Sequence, residues 1–147
     1  MSEANKKLVR EFVKALEALD MEKFLSFLDD DVLFVTTGQH AAAGTKTKAQ
    51  VLKQLPAMRE MLPGGFRFTE VSMTAEGDRV TMELRGQAKT VTGEDYNNEY
   101  CHFYQIRDGK IIIFRDYMDS ALVERLMLPF LAAHGATAVD REREATA

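Results

Sequence analysis

Apolar residues near the start of the chain recur at spacings of one, three and four, which places them on one face of a helix: Leu8, Val9, Phe12, Val13, Leu16 and Leu19. Asp20 is the expected N-cap of a second, short helix over residues 21–28. Thr47 is the expected N-cap of a third helix, which contains Pro56. Residues 32–37 are β-branched and aromatic and predict a short strand. The acidic run over residues 29–31 predicts a solvated connection before it, and we expect a loop over residues 38–44.

The hydrophobic pattern beyond Gly65 changes from helical to strand-like. Strands are predicted over residues 66–75, 80–91, 96–106 and 111–118, with turn residues at hairpin spacing between them. Four such strands form an antiparallel sheet, and the apolar segment over residues 121–131 predicts a final helix that ends at Pro129. Helices followed by strands indicate an α+β fold. A curved sheet that wraps around its helices leaves a conical cavity, where we expect a ligand to bind.

The length of 147 residues predicts a single domain over residues 1–131 and a loose tail over residues 132–147. No stretch approaches the roughly 20 apolar residues of a membrane span, and no secretory leader is recognisable, so we expect a cytoplasmic protein without a membrane partner. The net charge of −4 and the scattered basic residues argue against nucleic acid as a partner. A lone cysteine (Cys101), three dispersed histidines and the lack of a phosphate or dinucleotide motif predict neither a metal nor another cofactor.

The last two predicted strands carry polar residues among apolar ones. Since side chains alternate along a strand, the first of them has one face made of Asn98, Tyr100, His102 and Tyr104. The last strand has one face made of Ile112, Phe114, Asp116 and Met118, and an opposite face made of Ile111, Ile113, Arg115 and Tyr117. Both faces are largely apolar. Both should therefore be covered: one face can pack against the helices, and the other needs a partner. We expect a homodimer that forms through this outer face of the sheet.

The segment Gly-Lys-Ile-Ile-Ile-Phe-Arg-Asp-Tyr-Met-Asp, residues 109–119, resembles the last strand of the nuclear transport factor 2-like superfamily. It is most similar to the SnoaL-like, ketosteroid-isomerase-related and limonene-epoxide-hydrolase-like members, and the order of elements agrees over about residues 5–130. The resemblance implies a cone-shaped curved sheet around N-terminal helices, a deep pocket and dimerisation through the outer face. The superfamily includes isomerases, cyclases, hydrolases and plain binding modules, so the fold alone does not supply an activity.

The resemblance also implies roles for single positions. Asp116 stands where SnoaL-like cyclases and epoxide hydrolases have a catalytic acid. His102 stands where ketosteroid isomerases have an acid that hydrogen-bonds the developing oxyanion. Thr36 replaces the aspartate base of those isomerases and the water-holding asparagine of the epoxide hydrolases, and Phe34 replaces a tyrosine of the latter. These departures argue against ordinary ketosteroid isomerisation and ordinary epoxide hydrolysis.

Glu83 and Arg85 allow two interpretations. By resemblance they stand, with the charges reversed, where epoxide hydrolases need an Arg-x-Asp pair, and in that register they point into the cavity and can pair with Asp116 or a ligand. A slip of one residue would exchange the faces of the strand. The same strand has a cleaner apolar face, which leaves both charged residues outside if it meets the helices: Val80, Met82 and Leu84.

The sequence therefore predicts a pocket for a small hydrophobic molecule and, more specifically, a cofactor-independent acid–base isomerase, cyclase or hydrolase. Asp116 would carry the proton, because an apolar pocket favours a neutral carboxyl group and suits acid–base work. His102 or Arg85 would set its charge state, and Tyr100 would orient a substrate oxygen. Further ligand contacts would come from Asn98, Glu83, Phe34, Thr36, Phe114 and Met118. The alternative is a non-catalytic ligand-binding or dimerisation module of the same fold.

Overall fold

The structure of the protein, a computed structural model, describes residues 2–133. Six strands form one curved mixed sheet in the order β2-β1-β6-β5-β4-β3. All neighbouring strands are antiparallel except β1 and β6, which are parallel. The prediction of an α+β fold is confirmed. The strands are β1 Leu28–Thr36, β2 Gly44–Lys46, β3 Arg67–Glu76, β4 Arg79–Gln87, β5 Asn98–Arg107 and β6 Lys110–Met118.

The helices begin at the capping residues that the sequence indicates. Asp20 accepts a hydrogen bond from the backbone N–H of Lys23, and Thr47 and Gln50 form a reciprocal capping box. Such caps satisfy N–H groups that have no partner within the helix. The helices are α1 Ser2–Ala18, α2 Met21–Ser26, α3 Lys48–Met61, α4 Ser120–Leu122 and α5 Leu128–Ala133, with a π-helical segment, Val123–Met127, between the last two. None of these helices is long and apolar enough to cross a membrane.

The core lies between the inner face of the sheet and the first three helices. Rings from α1, α2 and the central strands contact one another, with centroids 4.5 to 5.8 Å apart in the closest pairs. Aromatic rings at these separations add to the stabilisation that burial alone gives. The inner face of β4 is purely apolar where it meets this cluster: Val80, Met82 and Leu84.

Three local predictions were wrong. The predicted 38–44 loop ends in a short strand, β2, and the 29–31 acidic run lies inside β1 rather than in a connection. Ile111 was expected on the outer face of β6 but is fully buried in the core. The pairing of β5 with β6 shifts register beside Ile106, which leaves Ile112 as an extra residue and resets the alternation of side chains.

The C-terminal helical region extends beyond the predicted stop at Pro129 and reaches Ala133. One side chain from each of its turns contributes to the wall of the cavity described below: Val123, Met127 and Leu131. The remainder of the predicted tail, residues 134–147, lies outside the described residues.

Candidate functional site

A cavity of about 130 Å³ lies between the inner face of the sheet and helices α1, α3 and the C-terminal helical region. An apolar cavity of about 150 Å³ in another protein is large enough to hold benzene, so this cavity is of the size that admits a compact aromatic molecule. Its wall is mainly aromatic, Leu and Met side chains. The polar residues that line it are Thr36, Lys46, Gln54, Tyr96, Tyr100, His102 and Asp116.

Three of these polar residues form one row across the centre of the sheet. Asp116 on β6 pairs with Thr36 on β1 and with His102 on β5. Residues opposite one another on neighbouring strands point to the same face, with their Cβ atoms about 4.5–5.5 Å apart. The pairing of the central strands therefore brings a hydroxyl, a carboxylate and an imidazole together at the cavity wall.

His102 and Asp116 are in direct contact. The His102 Nε2 lies 3.1 Å from the Asp116 Oδ1, and the imidazole is 1% exposed while the carboxylate is 19% exposed. This distance fits a hydrogen bond, but the contact does not have acceptable hydrogen-bond angles. No other group among the described residues donates a hydrogen bond to this Oδ1. This carboxylate oxygen thus retains acceptor capacity beside the cavity.

The tautomer of His102 follows from its other ring nitrogen. Nδ1 lies 2.8 Å from the Tyr104 hydroxyl. Burial raises the pKa of Tyr104 well above its usual value, so this phenol keeps its proton, and a buried hydroxyl hydrogen needs an acceptor. We assign the Tyr104 hydroxyl as donor to Nδ1, which leaves the proton of a neutral imidazole on Nε2, facing Asp116.

Lys46 supplies a buried amine to the same cavity. It lies on β2 opposite Phe34 and is 5% exposed. Its Nζ donates a long hydrogen bond of 3.4 Å to the Thr36 hydroxyl, and no carboxylate among the described residues is close enough to form an ion pair with it. Burial lowers the pKa of Lys46 to about 8, an effect that the charge of Asp116 partly opposes.

Two tyrosines at the cavity wall remain hydrogen-bond donors at neutral pH. The pKa of Tyr96 is raised to about 12 and that of Tyr100 well above its usual value. Burial is the main cause for both, and the charge of Asp116 acts in the same direction. Tyr100 lies on β5 two residues before His102, so its ring shares the inner face. Their neutral hydroxyls can donate to an oxygen atom of a bound molecule.

Seven of the ten predicted site residues line this cavity: Asp116, His102, Tyr100, Phe34, Thr36, Phe114 and Met118. Asn98 does not. It is buried on the same face as Tyr100, but its amide is tied to the backbone of Asp119 and Glu99. It therefore fastens the start of α4 to the sheet.

The assignment of Glu83 and Arg85 to the cavity was wrong. Both residues are exposed on the outer face, where Arg85 contacts Glu99 across the strands at 3.7 Å. The apolar alternation of β4, and not the register taken from the resemblance, determines which face is buried. Turning this strand over would bury two charged side chains and expose three large apolar ones, which is strongly unfavourable.

The sequence prediction missed three polar residues of the cavity: Lys46, Gln54 and Tyr96. Lys46 follows a stretch that predicts a loop, and a lysine is rarely buried without a partner. Tyr96 precedes β5 but continues its even-numbered inner face, and that alternation could have identified it. Within residues 2–133, no group of three or more His, Cys, Asp or Glu side chains could hold a metal ion.

A family model described as "SnoaL-like domain" matches residues 9–114. No curated protein matches the chain. Solved structures with the same fold include a nuclear transport factor 2-like protein of unknown function from Burkholderia pseudomallei, which is 21% identical with a TM-score of 0.74, over 85% of this chain and 98% of that one.

Two further structures carry more specific names. An LEH-like epoxide hydrolase from M. tuberculosis is 20% identical with a TM-score of 0.70, over 93% of this chain and 98% of that one. PrhC from Penicillium brasilianum is 17% identical with a TM-score of 0.77, over 92% of this chain and 93% of that one. At such identities the similarity establishes the shared fold, since one fold hosts many activities.

Proposed function

The chain belongs to the SnoaL-like domain family, and we propose that it is a cofactor-independent acid–base enzyme, an isomerase, cyclase or hydrolase, that acts on a small hydrophobic molecule in the cavity. The observation that carries the proposal is the Asp116 carboxylate, which lies against His102 in an otherwise apolar wall and keeps one oxygen without a well-aligned hydrogen bond. A buried polar atom that is left without a hydrogen bond is rare in folded proteins, and a catalytic role is one of the recognised reasons for it.

In this proposal Asp116 takes a proton from the bound molecule or returns one to it. His102 Nε2 lies 3.1 Å from the carboxylate, close enough to donate a hydrogen bond to it during the reaction. The Lys46 ammonium balances the charge of Asp116 across the cavity. Tyr96 and Tyr100 donate to a substrate oxygen on which negative charge develops, since both hydroxyls stay protonated.

The direct test uses 5-nitrobenzisoxazole, a compact aromatic probe. A carboxylate base removes its ring C–H proton, the N–O bond breaks, and a coloured phenolate is released. Asp116→Asn should slow this reaction by about 10²–10⁴-fold, the usual contribution of a general base. Binding of the unreactive analogue 5-nitroindazole, measured by calorimetry, should stay within a few-fold.

Asp31→Asn is the matched control, because Asp31 is an exposed carboxylate of β1 outside the cavity; it should retain the wild-type rate. Equal rates for Asp116→Asn and the wild type would overturn the catalytic role of Asp116. A wild type that binds 5-nitroindazole without accelerating proton removal would favour the non-catalytic binding module instead.

We further propose that two copies associate through the outer face of the sheet, around the exposed residues Val71, Cys101 and Tyr117. Tyr117 is 46% and Val71 is 45% exposed, and they border one shallow outer depression that Cys101 also lines. Apolar side chains grouped on a sheet face favour association, because their burial removes apolar surface from water.

A further inference from the structure

Lys46 is the single buried lysine of the chain, all nine of whose lysines are among the described residues. Its position is fixed by β2, which pairs with β1 so that Lys46 lies opposite Phe34, and both side chains line the cavity. The amine therefore meets any molecule that enters. The proposed acid–base role of Asp116 uses Lys46 only as a charge and assigns no chemistry to its amine nitrogen.

The contacts of Lys46 differ from those of a structural lysine. A buried ammonium normally forms an ion pair, because an unpaired buried charge is costly. Even the neighbouring Lys48, which is only partly buried, has an ion pair, since its Nζ contacts Asp30 at 3.2 Å and the backbone oxygen of Leu28 at 3.1 Å. Within residues 2–133, the Nζ of Lys46 forms only the long 3.4 Å hydrogen bond to the Thr36 hydroxyl.

The surroundings favour an uncharged amine. The titratable groups that line the cavity beside Lys46 are Asp116, His102, Tyr96 and Tyr100. Of these, Asp116 supports the ammonium form, but burial has the larger effect and lowers the pKa of Lys46 to about 8. At neutral pH roughly a tenth of the molecules then carry the free base, against well under one in a thousand for an ordinary lysine of pKa about 10.4.

We propose that Lys46 forms an imine with an aldehyde or ketone bound in the cavity, so that the substrates of this site include small apolar carbonyl compounds. Nζ attacks the carbonyl carbon, a C–N bond forms, and the carbonyl electron pair moves to oxygen, which takes up a proton. The nitrogen then gives up one proton, and the hydroxyl group leaves as water after a second protonation while the nitrogen lone pair forms the C=N bond. Loss of the second proton from nitrogen gives the neutral imine. Amine and carbonyl compound thus give imine and water, with no oxidant or reductant.

The neighbours of Lys46 suit the two proton transfers. The hydroxyls of Tyr96 and Tyr100 can donate to the carbonyl oxygen, which activates the carbon for attack. The carboxylate of Asp116 can stabilise a protonated imine, just as its charge stabilises the ammonium form. The inference rests on the proposed binding of a small molecule in the cavity, but not on Asp116 as the catalytic base.

Reductive trapping tests the inference. The full chain is incubated with benzaldehyde and sodium cyanoborohydride, which reduces an imine to a stable secondary amine, and the modified lysines are identified by peptide mass spectrometry. Lys46 should be labelled on the order of 10- to 100-fold faster than the surface lysines at neutral pH, because it has the larger free-base fraction. The eight other lysines of the same molecule are internal controls. Lys46→Met should abolish the fast phase and leave surface labelling unchanged.

Labelling of Lys46 at or below the rate of the surface lysines, including no labelling at all, would overturn the inference. The result is separable from the test of Asp116, because trapping needs no proton removal from carbon. Fast labelling of Lys46 in the Asp116→Asn variant would support imine formation by Lys46 independently of the proposed base. Binding of 5-nitroindazole by Lys46→Met would show that the variant is folded and its cavity is intact.

Discussion

Replacing Lys46 by methionine should stabilise the protein at neutral pH. Burial lowers the pKa of this amine from 10.5 to about 8, so the unfolded chain holds the proton more tightly than the folded chain does. Each pKa unit corresponds to about 1.4 kcal/mol, so the charged lysine costs the folded state about 3 kcal/mol. Methionine retains most of the apolar stem and gives up only the long contact to the Thr36 hydroxyl. We expect a gain of about 2–3 kcal/mol in the free energy of unfolding.

The pH dependence of this gain has a definite sign. Between pH about 8 and pH 10.5, the unfolded state binds more protons at Lys46 than the folded state, so the contribution of Lys46 to stability rises with pH. The destabilisation caused by the charged Lys46 has its full size below pH about 8 and is absent above pH 10.5. The advantage of Lys46→Met over the wild type should therefore shrink as the pH rises through the window.

Urea unfolding at a series of pH values from neutral to alkaline measures both effects. Lys53→Met is the matched control, because Lys53 lies on α3 with its side chain exposed; its effect should stay within about 0.5 kcal/mol at every pH. If Lys46→Met is less stable than the wild type at neutral pH, or if the difference does not change with pH, the account of Lys46 as an unpaired buried amine is incorrect.

Two other predictions concern the wall of the cavity and the outer face. Gly86→Ala should destabilise the protein by about 1–3 kcal/mol in urea unfolding and weaken 5-nitroindazole binding, because the new Cβ would lie 2.7 Å from the Tyr100 ring. Gly64→Ala, with open space around the added methyl group, should change little, and equal effects of the two would contradict this steric explanation. Tyr117→Asp should convert a dimer into a monomer in analytical ultracentrifugation, and a wild type that sediments as a monomer at micromolar concentration would refute the proposed interface.

The sequence predicted the helices, strands β3 to β6 and the inner face of β5 because each shows a clear period. Asp116 and His102 could be placed together because β5 and β6 are consecutive strands of one hairpin. A hairpin makes the two strands antiparallel neighbours, so their facing residues can be expected from the sequence. The order of the sheet could not be derived in this way. The parallel pairing of β1 with β6 joins segments about 80 residues apart, for example at Thr37 and Asp116, and no local pattern records such a contact.

Two site assignments show where sequence arguments conflict. For Glu83 and Arg85, the alternation of apolar residues on β4 and the register of the resemblance gave opposite faces, and the structure follows the alternation. The physical reason is the cost of burying two charged side chains. Lys46 shows the opposite outcome, because this charged residue is buried although the cost of burial favours an exposed position. A three-residue strand offers too few positions for an alternation, so nothing in the local sequence distinguishes Lys46 from a solvated loop residue.

The position of β6 in the sheet has a consequence for how the molecule folds. β6 is the last strand in the chain, yet it lies between β1 and β5. Without it, β1 and β2 form one hairpin, β3, β4 and β5 form a separate meander, and no ladder hydrogen bonds join the two pieces. On the ribosome, the nascent chain therefore cannot join these strands into one sheet until β6 has emerged. Pairing β1 with β6 closes a loop of about 80 residues, which is entropically slow. The same strand carries Asp116, which lies between Thr36 on β1 and His102 on β5. The row of these three residues therefore forms only when the sheet is complete.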